Sequence, residues 1–228
     1  MKMSRRIMNI FRASPKRRYA FIVTYGRSGS TLLMNIINSC DGCRIRGENN
    51  NSLHGIYQSY KKIIDAQQEH GKNSHLTSSP WWGISAVNAE SYAQKLVKSF
   101  IDEVIMPGPS DTLCGFKEIR FSRREVPDLI GYINFLTKFF PGARIIFNHR
   151  DLDAVSSSKW WASMPNARNL LQDIDDRFNE VNESESFFHF YYDKAINDTT
   201  HVRDLFKFLD IPYDESAVKN VFTQRHSY

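Results

Sequence analysis

The sequence predicts an α/β protein, a three-layer sandwich in which helices cover both faces of a central parallel sheet. Short apolar runs alternate with longer stretches of helical periodicity, which is the pattern of repeated strand–helix–strand units. In addition, the apolar run 20–24 leads through a loop with two glycines into a helix, an arrangement that binds anions at a helix N-terminus. The chain has 228 residues, 41% of them hydrophobic, and this is enough for one compact domain.

Five strands are predicted from short apolar runs bounded by turn-forming residues. They are residues 19–24, 43–46, 112–117, 143–148 and 187–191. The first run is expected to be a buried parallel strand, and 143–148 is expected near the centre of the sheet.

Eight helices are predicted from apolar residues at helical spacing. They are residues 30–39, 53–69, 89–106, 127–140, 151–161, 166–182, 202–209 and 215–222. In 89–106 the apolar residues share one face, Asn88 is placed to cap the first turn, and Pro107-Gly108-Pro109 follows the last one. No internal repeat or low-complexity linker interrupts the pattern, which favours a single domain.

Positive charge is concentrated at the N-terminus. The formal net charge is +5, but residues 1–18 contain seven basic residues and no acidic one, which leaves 23 basic and 25 acidic residues, a net charge of −2, in the remainder. We therefore predict a flexible basic arm over 1–18 and one domain over 19–228. The nearly neutral domain argues against a nucleic-acid-binding surface. A short interfacial helix of the arm on anionic lipid is the alternative to a solvated arm.

The sequence predicts a cytoplasmic protein, with membrane association through the basic arm left open. No stretch reaches the roughly 18 to 20 apolar residues of a spanning helix, and the N-terminus lacks the apolar core of a signal peptide. Three cysteines, an odd number, fit a reducing compartment. Cys40 and Cys43 form a C-x-x-C pair, but no second pair completes a zinc site, so a structural role is expected and no metal is assigned.

The segment 25–31, between the first strand and the first helix, is typical of a phosphate-binding loop. Its glycines allow close approach of the backbone to a ligand, and its hydroxyl groups can donate hydrogen bonds. In nucleotide-hydrolysing loops a Lys follows the second glycine, but here Ser30 stands at that position and Arg27 supplies the positive charge. The candidate anion-binding residues are Gly26, Arg27, Ser28, Gly29, Ser30 and Thr31.

Charged residues also follow the other predicted strands, where the loops of a parallel sheet converge. Glu48 follows the second strand, Lys117 the third and Arg150 the fourth. Each has a simpler interpretation: Glu48 as a solvated acid, Lys117 as a partner of Glu118, and Arg150 as a partner of neighbouring acids. The residue types favour anion binding by the cations, and leave Glu48 open between a solvated acid and a proton acceptor.

Ser158 is a further candidate, because two helical turns separate it from Arg150 and the two residues are placed to flank a second phosphate. Ser156 and Ser157 are its rivals. The polar loop 71–83, with Trp81 and Trp82, is a candidate substrate lid. These tryptophans and Tyr57 suggest a surface on which a sugar ring stacks.

With these residues identified, the chain resembles the sulfotransferase superfamily that uses 3′-phosphoadenosine 5′-phosphosulfate (PAPS). Residues 21–33 resemble its 5′-phosphosulfate segment, and residues 150–158, an Arg-Asp followed by Ser eight residues after the Arg, resemble its 3′-phosphate segment. Residues 46–48 and 115–118 resemble the segments that carry its glutamate base and its lysine, and 191–213 resembles its carboxyl-terminal pattern. In carrying Arg rather than Lys in this loop, the chain resembles the branch of bacterial carbohydrate, Golgi and tyrosylprotein enzymes.

The resemblance implies a P-loop nucleotide-binding fold and transfer of a sulfuryl group from PAPS, without a metal, to an acceptor hydroxyl of a carbohydrate or glycolipid. It implies a general base at Glu48, catalytic roles for Arg27 and Lys117, and donor contacts from Arg150 and Ser158. A P-loop kinase that uses ATP is the enzymatic alternative, although the loop lacks its Lys. A non-catalytic, membrane-associated scaffold that binds anions is the other alternative.

Overall fold

The computed structural model describes residues 17–223. Residues 1–16, most of the predicted basic arm, lie outside the described residues, as do residues 224–228. Arg18 begins the first strand, and the guanidinium of Arg17 donates to the backbone carbonyl of Gly108 at 3.1 Å, so these two residues belong to the domain rather than to the arm. None of the helices between residues 17 and 223 is long and apolar enough to cross a membrane.

Within this part of the chain, five strands form one parallel sheet, as predicted. They are β1 (Arg18–Val23), β2 (Cys43–Arg46), β3 (Leu113–Glu118), β4 (Arg144–His149) and β5 (Phe187–Tyr191). The strand order is β2-β3-β1-β4-β5, with every pair parallel. Because β1 lies between β3 and β4, the loops that follow these three strands are neighbours at one edge of the sheet.

Helices connect the strands and follow the last of them. They are α1 (Ser30–Asn38), α2 (Ser52–His70), α3 (Ala89–Phe100), α4 (Leu129–Phe139), α5 (Leu152–Ser156), α6 (Ala167–Asn179), α7 (Tyr192–Ala195), α8 (Thr199–Leu209) and α9 (Glu215–Thr223). The predicted helix 89–106 is α-helical as far as Phe100, and a single π-helical turn, Ile101–Ile105, follows it. The short α7 was not predicted.

The predicted helix 151–161 is wrong in its second half. The helix α5 ends at Ser156, and a separate 3₁₀ turn, Lys159–Ser163, follows. The Ser156 hydroxyl donates to the carbonyl of Asp153 at 3.1 Å, one of the local bonds by which serines compete with helix continuation. The backbone of Ser158 is extended, so this residue lies outside the helix.

Side chains of β1 alternate between two cores. Phe21 and Val23 pack into the core beneath α2, α3, α4 and α6, whereas Ala20 and Ile22 pack into the core beneath α1, α8 and α9. After Arg18, every residue of β1 is apolar or aromatic and buried, since each face of the sheet is covered by helices. The three-layer architecture is therefore confirmed.

Candidate active site

A cleft of about 730 Å³ opens at the carboxyl edge of the sheet. Ligands of open parallel sheets bind at this edge, and the volume lies in the range of small-molecule sites. Eight of the ten predicted site residues line the cleft: Gly26, Arg27, Gly29, Ser30, Thr31, Glu48, Lys117 and Arg150. The structure therefore brings these eight residues together, and their roles stay predictions.

The loop between β1 and α1 requires backbone conformations that few residues adopt. Arg27 has φ 70° and Gly29 has φ 80°, both in the left-handed region. A Cβ atom on Gly29 would lie 2.2 Å from the ring of Tyr192, so no larger residue fits there. The helix α1 begins at Ser30 and directs the positive end of its dipole at the cleft. This geometry matches the predicted anion cradle.

Buried polar groups support this loop from below. The Thr24 hydroxyl donates to the backbone carbonyl of Asn148 at 2.8 Å and lies 2.7 Å from the Ser28 hydroxyl. The Asn148 amide donates to the backbone carbonyl of Ser28 at 3.1 Å. All three side chains are fully buried. The hydroxyl of Ser28 therefore supports the loop and does not line the cleft, which corrects the prediction that it contacts an anion.

Arg27 and Arg150 lie together at the cleft. Arg27 Nε donates to the Ser158 hydroxyl at 3.0 Å, and Arg150 Nη1 donates to the backbone carbonyl of Arg27 at 2.9 Å. The Arg150 guanidinium also stacks on the ring of Tyr192, 4.6 Å from its centroid. Its Nε is buried and has no hydrogen-bond partner among the described residues. Of the three candidate serines, Ser158 is the one placed beside these cations.

Neighbouring acids do not neutralise Arg150, so the simpler interpretation of this residue is wrong. The carboxylate of Asp151 accepts from the backbone N–H of Ala154 and caps α5. The carboxylate of Asp153 pairs with Arg168 at 2.7 Å. The charge of Arg150 is consequently directed at the cleft.

Lys117 contacts the carboxylate of Glu48 at the opposite side of the cleft. The Lys117 side chain is 10% exposed and that of Glu48 is 37% exposed, so the acid is the solvent-facing member of the pair. The alternative partner of Lys117, Glu118, points elsewhere. The structure thus places a carboxylate and an ammonium together next to the anion cradle.

Buried Glu118 holds the loop that carries Glu48. One of its carboxylate oxygens accepts from the backbone N–H groups of Asn49 at 3.2 Å and Asn51 at 2.9 Å, and the other accepts from Ile119 at 2.9 Å. Asn51 has φ 57°, a conformation that Asn tolerates better than most residues. The position of Glu48 therefore depends on the carboxylate of Glu118, which directly follows Lys117 at the end of β3.

Three aromatic residues at the cleft were missed by the sequence analysis. Trp161 Nε1 donates to the backbone carbonyl of Gly26 at 2.9 Å, and Trp160, 46% exposed, stacks on Trp161 with 4.1 Å between the ring centroids. Tyr192 packs between Gly29 and Arg150. Tyr192 follows β5 directly, so the strand-end rule that found Lys117 would also have found it.

The predicted substrate lid is contradicted by the direction of α2. This helix begins beside the cleft and extends away from it for 19 residues, which is about 27 Å between its ends. Trp81 stacks on His70 at the far end, and Trp82 is exposed there. Tyr57 is buried, with its hydroxyl on Asp128. None of these rings lies at the cleft.

The thiols and potential metal ligands show no reactive arrangement in the described chain. Cys40, Cys43 and Cys114 are free thiols, and burial raises the pKa of Cys43 to about 12 and that of Cys114 to about 11. Protonated thiols are poor nucleophiles, which agrees with the structural role expected for Cys40 and Cys43. Between residues 17 and 223, no cluster of three or more His, Cys, Asp or Glu side chains is arranged to hold a metal ion.

Comparison with known proteins connects this geometry to a family. The model of the sulfotransferase family matches residues 20–215, which include all of the sheet but its first two residues, and every residue that lines the cleft except Phe222. The chain belongs to the sulfotransferase family. No curated protein sequence shows significant similarity to it.

Solved structures of other sulfotransferases are similar to this chain. The sulfotransferase domain of the Synechococcus PCC 7002 olefin synthase is 15% identical, with a TM-score of 0.56, and the match covers 92% of this chain and 79% of that one. The sulfotransferase domain from the curacin biosynthetic pathway is 10% identical (TM-score 0.49; 93% and 80% covered). Sulfotransferase STF9 from Mycobacterium avium is 17% identical (TM-score 0.44; 92% and 68% covered). At these identities the first similarity supports the α/β fold alone.

The contacts of Glu118 predict that its truncation loosens the loop of Glu48. In Glu118→Ala, the amides of Asn49 and Asn51 lose their acceptor, and we expect their hydrogen exchange to accelerate by at least about tenfold. Glu125→Ala is the matched control, because Glu125 accepts instead from the backbone N–H of Ser122. Exchange at Asn49 and Asn51 that is equal in both variants would contradict this role of Glu118.

Proposed function

We propose that this sulfotransferase transfers a sulfuryl group from PAPS to an acceptor hydroxyl, with Glu48 as the general base. The observation that carries the proposal is the convergence of Arg27, Lys117, Arg150 and the N-terminus of α1 around one cleft that also contains a carboxylate. Such a site favours an extended, multiply anionic ligand next to a group that accepts a proton.

The residues present fit this donor. Arg27 and the first turn of α1 would hold its 5′-phosphosulfate, in a loop whose Gly26 and Gly29 pack closely against the rings of Trp160 and Tyr192. Arg150 and Ser158 would hold its 3′-phosphate, and the buried, unpartnered Nε of Arg150 supports a ligand contact at that side chain. The apolar wall formed by Trp160, Ile196 and Phe222 offers a surface for the adenine ring.

The donor supplies a sulfuryl group that is transferred in line: an acceptor oxygen forms a bond to sulfur as the bond from sulfur to the bridging phosphate oxygen breaks. The carboxylate of Glu48 takes the proton of the acceptor hydroxyl. Lys117 and Arg27 stabilise negative charge on the sulfuryl oxygens and on the departing phosphate oxygen. Positioning and fixed charges of this kind account for most catalysis in the related transfer of phosphoryl groups.

For the acceptor we propose a carbohydrate or glycolipid hydroxyl. The solvent-facing position of Glu48 supports an acceptor that approaches from the open side of the cleft. The exposed ring of Trp160 is an aromatic surface at the cleft, whereas Trp81, Trp82 and Tyr57 no longer support the proposal. Labelled donor presented with a panel of glycans, glycolipids and peptides tests this acceptor class, and exclusive labelling of peptides would rule it out.

Glu48→Gln is expected to lower kcat by at least about a hundredfold while leaving donor affinity unchanged, because the amide cannot accept the proton. The measurement is transfer of labelled sulfuryl group to the best acceptor of the panel, together with calorimetry of adenosine 3′,5′-bisphosphate. Glu69→Gln, an acid at the far end of α2, is the control and should behave as wild type. Retained turnover in Glu48→Gln would remove Glu48 from the role of base.

Arg150→Ala is expected to weaken binding of adenosine 3′,5′-bisphosphate by at least about tenfold, since a charge-assisted contact to the 3′-phosphate is lost. Arg168→Ala removes an arginine that is paired with Asp153 and is absent from the cleft lining, so it controls for loss of charge. Equal affinities of the two variants would disprove the assignment of Arg150 to the 3′-phosphate.

A further inference from the structure

A chain of buried hydrogen bonds runs from the interior of the protein to the backbone of Arg150. His189 Nε2 contacts the backbone carbonyl of Val181 at 2.6 Å, and His189 Nδ1 contacts His149 Nε2 at 2.8 Å. His149 Nδ1 contacts the Asp175 carboxylate at 2.7 Å. Both imidazoles are buried, with His149 only 3% exposed. None of the residues in this chain of contacts had a role in the motifs described above.

The chain continues to the cleft through Tyr25. The Tyr25 hydroxyl lies 3.1 Å from the same oxygen of Asp175, and it accepts from the backbone N–H of Arg150 at 3.0 Å. Burial and the charge of Asp175 raise the pKa of Tyr25, so the hydroxyl keeps its proton and donates a hydrogen bond to the carboxylate, with the Arg150 carbonyl at 3.2 Å as a more distant acceptor. The Asn179 amide donates to the other oxygen of Asp175 at 3.0 Å.

These contacts determine where the protons lie. A carbonyl oxygen only accepts, so Nε2 of His189 carries a proton. Burial lowers the pKa of His189, which keeps this ring neutral and leaves Nδ1 with a lone pair. The hydrogen bond between the two rings therefore requires a proton on His149 Nε2.

The other nitrogen of His149 faces an ionised carboxylate. Burial opposes ionisation of Asp175, but the hydrogen bonds from His149, Tyr25 and Asn179 hold the pKa of this carboxyl below its ordinary value. A carboxylate only accepts, so His149 Nδ1 also carries a proton. Both nitrogens of His149 are then donors, and the ring is a cation.

We propose that His149 is a buried imidazolium and that its ion pair with Asp175 positions Tyr25 and Arg150 at the anion cleft. Tyr25 immediately precedes Gly26 of the loop, and Arg150 contacts the carbonyl of Arg27. Loss of one proton from His149 would set two lone pairs against each other, either at Asp175 or at His189. His149 is thus a positioning residue, and only its consequence for donor binding rests on the proposed function.

Within residues 17–223, Asp175 is the acid that pairs with His149, and the other neighbours of the ring are aromatic. The ring of Tyr191 stacks on His149 with 4.9 Å between centroids, and Phe178 packs edge-on from α6. The remaining ionisable groups of this region lie one layer further out: the Glu183 carboxylate accepts from the backbone of His189, His201 accepts from the backbone of Tyr191, and Lys194 lies over the Tyr191 ring. Asp175 is the carboxylate in direct contact with His149.

Imidazole ¹⁵N NMR of the full chain tests the charge directly. Near pH 7.5 we expect both nitrogens of His149 to be protonated, whereas His189 has one protonated and one unprotonated nitrogen. Removing the counter-ion in Asp175→Asn should convert His149 to a ring with one protonated nitrogen. An unprotonated nitrogen on His149 in the wild-type protein would overturn the proposal.

The positioning role is tested on Asp175→Asn, with Asp173→Asn as control. Asp173 lies on the same helix but pairs with the exposed Arg123. In Asp175→Asn we expect hydrogen exchange of the Arg150 amide to accelerate by at least about tenfold, and affinity for adenosine 3′,5′-bisphosphate to fall by at least about tenfold, with the fold retained by circular dichroism. Arg150 exchange equal to that of the control would overturn the positioning role.

The two proposals fail separately. If wild-type protein does not bind adenosine 3′,5′-bisphosphate, the proposed function fails, while NMR and Arg150 exchange still decide the role of His149. If the nucleotide binds the wild type and Asp175→Asn equally, the link between His149 and donor binding is disproved and the proposed function stands.

Discussion

The hydrogen bond from the Arg150 guanidinium to the Arg27 carbonyl is the contact on which the architecture of the cleft depends. It joins the loop after β1 to the loop after β4, two strands that are neighbours in the sheet. Through it, a positive charge from one loop fixes the backbone of the other, and Arg27 in turn contacts Ser158. Two segments 123 residues apart therefore form one positively charged surface.

Positive charges placed close together repel each other. The protein offsets this repulsion by giving the cations partners that carry negative charge or partial negative charge. Lys117 is neutralised by Glu48, Arg150 is stacked on Tyr192, and the carbonyl of Arg27 accepts from Arg150. In the proposed reaction, the carboxylate in contact with Lys117 is the group that accepts the proton of the acceptor hydroxyl. Under that proposal, the same ion pair connects binding of the donor to activation of the acceptor.

Much of this site could be predicted from the sequence, because its residues follow strands whose carboxyl ends must meet. Arg27, Lys117 and Arg150 each lie within a few residues of a strand end, and two of the strands, β2 and β5, have the predicted bounds. The contact between His149 of β4 and Asp175 of α6 joins residues that are 26 positions apart. No local sequence pattern predicts how α6 packs against the sheet. Likewise, the position of Trp81 depends on the length and direction of α2, which carries it away from the cleft.

The central claim is that the cleft binds a 3′,5′-bisphosphorylated nucleotide without a metal. Titration calorimetry of the wild-type chain tests it most directly, with adenosine 3′,5′-bisphosphate in the presence of a chelator compared with ATP in the presence of Mg²⁺. We predict saturable binding of the bisphosphate and much weaker binding of ATP with Mg²⁺. Tighter binding of ATP with Mg²⁺, or bisphosphate binding that requires the metal, would contradict the account.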